Sequence, residues 1–215
     1  HSIIMKRIIL FLFTLCCLMP AAAQFDKQIA KEREKMYKKT MKDYKKEGWK
    51  LFGSSQSLEM ALLTHYQKLY KEGEENQEIM GTCTRCKSKN VGQQTCINNA
   101  AITYAQQAKR VLNGRIASDI AGSDDEKAEF DHFYAAYESQ IEKELNGELQ
   151  PSYSIIRDNG DGTYEMRAYF IVSESAATRA RIRAYENAAR ESAAAQKFAD
   201  QVSKFVREGK QADAK

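Results

Sequence analysis

Two β-prone runs, residues 152–157 and 163–172, flank the pentapeptide Asp158-Asn159-Gly160-Asp161-Gly162. Such a spacer forces a tight reversal. Glycine enters the left-handed backbone region without steric cost, and Asp and Asn bond their own backbone two residues on. The flanking runs must therefore pair as an antiparallel hairpin. In the second run Tyr164, Met166, Ala168, Phe170 and Val172 fall on one face, while Thr163, Glu165 and Arg167 fall on the other. The pentapeptide resembles part of a calcium loop, but Gly160 and Gly162 stand where ligands are needed, so a turn is the expectation.

A third strand is expected at 78–88, where Thr and Cys suit a pleated surface. It is followed by a polar connection, Lys87 to Gly92. A helix at 93–120 carries Ile97, Ala101, Tyr104, Ala105, Ala108, Val111, Leu112 and Ile116 at three- and four-residue spacing. A second starts at the capping box Ser123-Asp124-Asp125-Glu126, carries Phe130, Tyr134, Tyr137, Ile141 and Leu145, and ends at Asn146-Gly147. Residues 174–207 read as one long alanine-rich helix, buried along Ile182, Tyr185, Ala189, Phe198, Val202 and Phe205. Upstream, Ser55 or Ser57 caps a helix reaching Lys71, with His65 beside its apolar face and more at home on the surface than as a ligand. Trp49, inside the patch Gly48 to Gly53, reads as an edge-strand or staple residue packed in the core. With only Pro20 and Pro151 in the chain, long helices meet little interruption. The expected class is α+β: a small antiparallel β-sheet packed against long α-helices.

The N-terminus carries a different signal. Met5-Lys6-Arg7 is a short positive segment, Ile8 to Met19 is apolar throughout, and Ala21 to Ala23 offer small residues for cleavage between Ala23 and Gln24. This is the tripartite pattern of a secretory signal peptide, and the run is too short for the ~20 residues that span a bilayer. Cys16 and Cys17 lack the neighbours of a lipobox, so a released product is expected rather than a lipoprotein. Removing 23 of 215 residues leaves 192, and the loss of Lys6 and Arg7 lowers the net charge from +4 to +2. That balance speaks against a nucleic-acid partner. The expected organisation is a signal peptide at 1–23, an N-terminal helical region at 24–76, an α+β domain at 77–207 and a loose tail at 208–215.

Material for catalysis is thin. There is no glycine-rich phosphate loop, GxSxG or HExxH, and only His65 and His132 follow the signal. The expectation is a non-enzyme with no catalytic residue, cofactor or metal. Cys83, Cys86 and Cys96 make up the thiol content after cleavage. In an oxidising compartment two of them are expected to pair, and a wider loop to Cys96 closes more easily than Cys83 to Cys86. A redox CxxC needs a helix start behind it, which the polar connection does not offer. Zinc would need His65 or His132 as a fourth ligand. A thiol/disulfide redox or metal protein on these three cysteines is the alternative reading. Residues 26–50 hold ten Lys/Arg against five Asp/Glu. A solvated helix is the plain reading, and an acidic partner or membrane head groups the functional one.

The strand Ile79-Met80-Gly81, the alanine-spaced helix 98–120, the aromatic helix after it and the hairpin at Asp161-Gly162-Thr163-Tyr164 stand in a suggestive order. In pattern this half of the chain resembles the domain of the twenty-kilodalton envelope lipoproteins and the N-terminal domain of the flagellar assembly protein FlgT. The pieces GWKLFG (48–53), KSKNVG (87–92), INNA (97–100) and YAQQA (104–108), with the Ala23-Gln24 junction, are similar to secreted proteins of the Bacteroidota. The resemblance implies envelope structure or assembly in a Gram-negative bacterium, periplasmic or outer-membrane-associated. It implies an envelope protein as partner and no catalytic residues; the missing lipobox departs from the lipoprotein members.

Overall fold

The computed structural model describes residues 27–120 and 124–209. The signal segment with Ala23 and Gln24, Cys16 and Cys17, the capping residue Ser123 and residues 210–215 lie outside them. The chain divides into two compact units, 1–48 and 49–215. The 24–76 region is thereby split, its first helix in one unit and the rest in the other.

Among the described residues, the first unit contributes one helix, α1 (27–47). Its Glu and Lys residues pair along the surface, Glu32 with Lys35 and Glu34 with Lys38, each at 2.6 Å.

In the second unit, β1 (Lys50–Phe52) is followed by α2 (Leu58–Leu69), β2 (Asn76–Cys86), α3 (Lys89–Asp119) and α4 (Asp124–Asn146). The hairpin β3 (Gln150–Asp158) and β4 (Tyr164–Ser173) comes next, then α5 (Glu174–Ala189), α6 (Ala193–Lys197) and α7 (Ala199–Glu208). The sheet is antiparallel, in the order β1-β3-β4-β2. The hairpin occupies its centre because β4 is apolar on both faces. Met166, Ala168, Phe170 and Val172 are buried on one side, and Tyr169 and Ile171 on the other. The turn forms as expected. Gly160 and Gly162 both have φ of +79°, and Asp158 and Asp161 accept the amides of Gly160 and Thr163 at 2.7 and 3.0 Å.

Helix α3 crosses β2 and β4 on the Met166 face, and α4 packs against α3 and α5. Contact is closest at Gly81, whose missing side chain admits the Cys96 carbonyl. In the α3 stripe Ala101, Tyr104, Ala105, Ala108, Leu112 and Ile116 are buried while Ile97 and Val111 are only partly covered, and the α4 stripe from Phe130 to Leu145 is buried together with Phe133. Two expectations need correction here. Lys87 to Gly92 is not a connection: α3 begins at Lys89, and Gly92 lies inside it where a Cβ would stand 2.9 Å from Cys86 Sγ. Nor is 174–207 one helix. The chain breaks at Arg190–Ser192, where the Ser192 side chain caps α6 by accepting from Ala195 N, and Phe198 then stacks on Phe130 at 6.2 Å. The deeply buried line of α5 is Ala176, Ala177, Ala180, Ala184 and Ala188, while Ile182 and Tyr185 are only partly covered. Glu208, read as tail, ends α7 and pairs with Arg115 at 2.8 Å.

Between α4 and α5, Arg183 reaches Glu144 at 2.5 Å and Glu148 at 3.0 Å, and Arg179 reaches Glu148 at 3.1 Å. Hydrogen bonds from Arg183, then from Arg179, hold the Glu148 carboxyl below its ordinary value of 4.5. A depressed native pKa contributes stability above the unfolded value, which is lost as pH falls through the native one. Glu148→Gln is therefore expected to cost at most about 1 kcal/mol at neutral pH, given the exposed arginines. The difference from wild type should close below about pH 4, read as urea midpoints across a pH series.

Candidate functional site

The register of β2 on β4 shifts between Cys83 and Cys86. The shift bends the strand and brings these two Cα atoms to 6.0 Å, and they carry the disulfide. The sequence leaves the pairing open and favours the wider loops to Cys96 only on ease of closure; the narrow loop closes instead because the bulge turns both side chains together. So short a loop removes little chain entropy, about 2 kcal/mol of stabilisation. Among the described residues, Cys96 is the free thiol, wholly buried on α3. It donates to the Met166 carbonyl at 3.4 Å, and Met166 is the register partner of Cys83. The thiol also lies against the backbone amides of Ala168 and Cys83. Burial outweighs these contacts and pushes it up to about 11. Three sulfurs thus share one patch beneath the β2 end of the sheet. Cys83 is half-buried, Cys86 is 4% exposed and Cys96 is closed off. Arg85, Lys87 and Lys89 form an exposed basic rim, with Arg85 paired to Asp161 at 2.5 Å and Lys89 5.0 Å over the Tyr164 ring.

The opposite face of the sheet holds a centre that sequence reasoning placed wrongly. His65 is buried at 0% exposure. Its Nδ1 lies 2.9 Å from Ser152 Oγ, and its Nε2 lies 2.6 Å from Glu78 Oε2. It also meets the Tyr153 and Tyr169 rings edge-on at 5.2 and 6.2 Å. The signal was present: His65 follows Ala61 and Leu62 by four and three residues, on the buried line of α2. It takes part in this polar network, not in a set with the cysteines. Ser152 is the extra residue where β3 slips between Pro151 and Tyr153. The order Ser–His–Glu is that of a nucleophile, base and acid. However, Nε2 has no aligned hydrogen-bond partner despite its short distance to Glu78, and the ring anchors α2 to the sheet through Ser152 and the two tyrosine rings. Ser152 also borders a hollow of about 170 Å³ with Phe52, Gln93, Ile97, Ser154 and Phe170.

With its inner face fixed by His65, α2 turns Met60 and Leu63 outward at 53% and 48% exposure. Trp49 is buried, as expected, with the Arg157 and Arg167 guanidinium groups 4.8 and 4.5 Å from its ring centre. Among the described residues, no helix is long and apolar enough to cross a membrane.

No protein-family model matches the chain, and no curated protein or solved structure matches it.

Proposed function

We propose that the chain is an exported cell-envelope protein, periplasmic or outer-membrane-associated, that works by protein–protein contact rather than by turnover. The observation that carries this reading is the outer face of α2. Met60 and Leu63 stand exposed one turn apart on a helix whose other side is locked down by His65. A rigid helix offering a flexible thioether and a leucine is a ready contact for a partner's apolar groove, because Met adapts its shape at little cost. Two substitutions test the idea. A photo-crosslinking residue at position 67, exposed one turn beyond Leu63, is expected to capture one discrete envelope protein in fractionated cells. Met60→Lys with Leu63→Lys should abolish that capture while leaving the far-UV spectrum unchanged. Capture that survives the double substitution would reject α2 as the contact.

A second reading rests on α1, whose basic residues line an extended exposed helix. Flotation with anionic vesicles that persists after its lysines are replaced by glutamine would exclude it.

A further inference from the structure

We infer that Cys83 is a thiol-capture site, where an incoming thiol forms a mixed disulfide, and that Cys96 is the buried thiol that resolves it. The inference is independent of the α2 contact, which lies on the other face of the sheet.

Access decides which sulfur is attacked. Of the bridged pair, Cys83 is half-buried, whereas Cys86 is covered by α3 at Gly92. An external thiolate can reach Cys83 Sγ. The Cys83–Cys86 electron pair then leaves on Cys86 Sγ, which takes up a proton. The product holds a disulfide between Cys83 and the incoming group, and a free Cys86 thiol. The basic rim of Arg85, Lys87 and Lys89 favours the anionic attacking form.

From this state two thiols can return to Cys83. Attack by Cys86 restores the starting bridge. Attack by Cys96 forms a Cys83–Cys96 bridge, expels the captured group as its thiolate and leaves Cys86 reduced. Both routes conserve electrons, and no separate oxidant is needed. The Cys96 route is open because its sulfur lies under the carbonyl of Met166, the register partner of Cys83. Burial keeps Cys96 protonated at rest, with a thiolate fraction on the order of 10⁻⁴ at pH 7, so the resting bridge does not scramble unprompted.

The sequence makes the outcome readable. Arg85 separates Cys83 from Cys86, and Lys89 separates both from Cys96, so trypsin places each cysteine on its own peptide. The full folded chain is incubated without oxygen with substoichiometric glutathione, or with a short cysteinyl peptide, then acid-quenched, alkylated and mapped. The expected result is a transient adduct on the Cys83 peptide and growth of the Cys83–Cys96 linkage. In Cys96→Ser the adduct should resolve only to the original Cys83–Cys86 bridge, with Cys96→Ala and thermal unfolding checking that the fold is kept. An adduct on Cys86, or none, would overturn the capture site. An adduct on Cys83 without any Cys83–Cys96 linkage would overturn the role of Cys96. Exchange with either probe supports the site, and the faster probe tells whether small thiols or polypeptide thiols are its substrate.

Discussion

Gly81→Ala is expected to be the most damaging single methyl group that can be added to this chain. A Cβ at position 81 would stand 1.7 Å from the Cys96 carbonyl oxygen, 2.7 Å from its carbon and 2.9 Å from the Ala100 nitrogen. All three atoms are helix backbone, so no side chain can swing aside, and α3 must lift from the sheet. The cost should be roughly 3 kcal/mol or more, which lowers Tm by about 6–12 °C for a chain of this size. Gly114 supplies the control within the same helix. It meets nothing within 4 Å, and Gly114→Ala should stabilise by about 0.5–1 kcal/mol through helix propensity. Thermal unfolding followed by circular dichroism distinguishes the two. Equal effects would show that α3 does not ride on Gly81.

The second large effect is expected at Arg181, only 4% exposed in the middle of the helical layer. Its guanidinium donates to Tyr104 Oη at 2.6 Å, Glu174 Oε1 at 2.6 Å, Thr178 Oγ1 at 2.7 Å and the Val206 carbonyl at 3.0 Å. One side chain thus joins α3, α5 and α7. Arg181→Met keeps most of the volume but leaves Glu174 without its cation and takes a donor from three other oxygens, those of Tyr104, Thr178 and Val206. Breaking a buried pair from one side costs about 3–5 kcal/mol. Adding Glu174→Gln should recover part of that loss. The double variant is expected to fall short of the summed singles by about 1–3 kcal/mol, measured by urea unfolding. Strict additivity would mean that the pair does not act as a unit. Loss of the Val206 bond should also free α7 and raise protease cleavage near residue 206 before global unfolding.

Local patterns carried most of the architecture. The Asp-Asn-Gly-Asp-Gly spacer named its own turn, and the three-four spacing of Tyr104, Ala108 and Leu112 named the buried side of α3. The misreadings share a cause: the deciding partner is distant in sequence. Gly92 looks like a breaker until Cys86 is seen beneath it. Alanine periodicity runs on through Arg190–Ser192, where Glu129, 65 residues back, accepts the Ala194 amide and Phe198 finds the Phe130 ring. His65 sits on the inner line of α2 in the pattern, yet its polar partners are a serine 87 residues onward and a glutamate on β2. Arg181 carries no such signal, since an arginine in the run Arg179-Ala180-Arg181-Ile182-Arg183 reads as solvent-facing until Tyr104 and Val206 surround it. Likewise, the shared patch of the three cysteines depends on a register shift that composition does not encode.

The strand order has one more consequence, in the timing of synthesis. Strand β2 neighbours only β4 in the sheet, and about eighty residues of chain separate the two. At 5–20 residues per second, β2 waits roughly 4–16 s for its partner to be made. During that interval its eleven residues form a bare β template. Helix α2, made before it, reaches one face through His65 and Glu78, and the first element able to shelter the other face is α3, which comes directly after it in the chain and settles on Gly81. The glycine that admits a carbonyl in the finished fold is, for the nascent chain, what lets a helix shield a strand that has no neighbour yet.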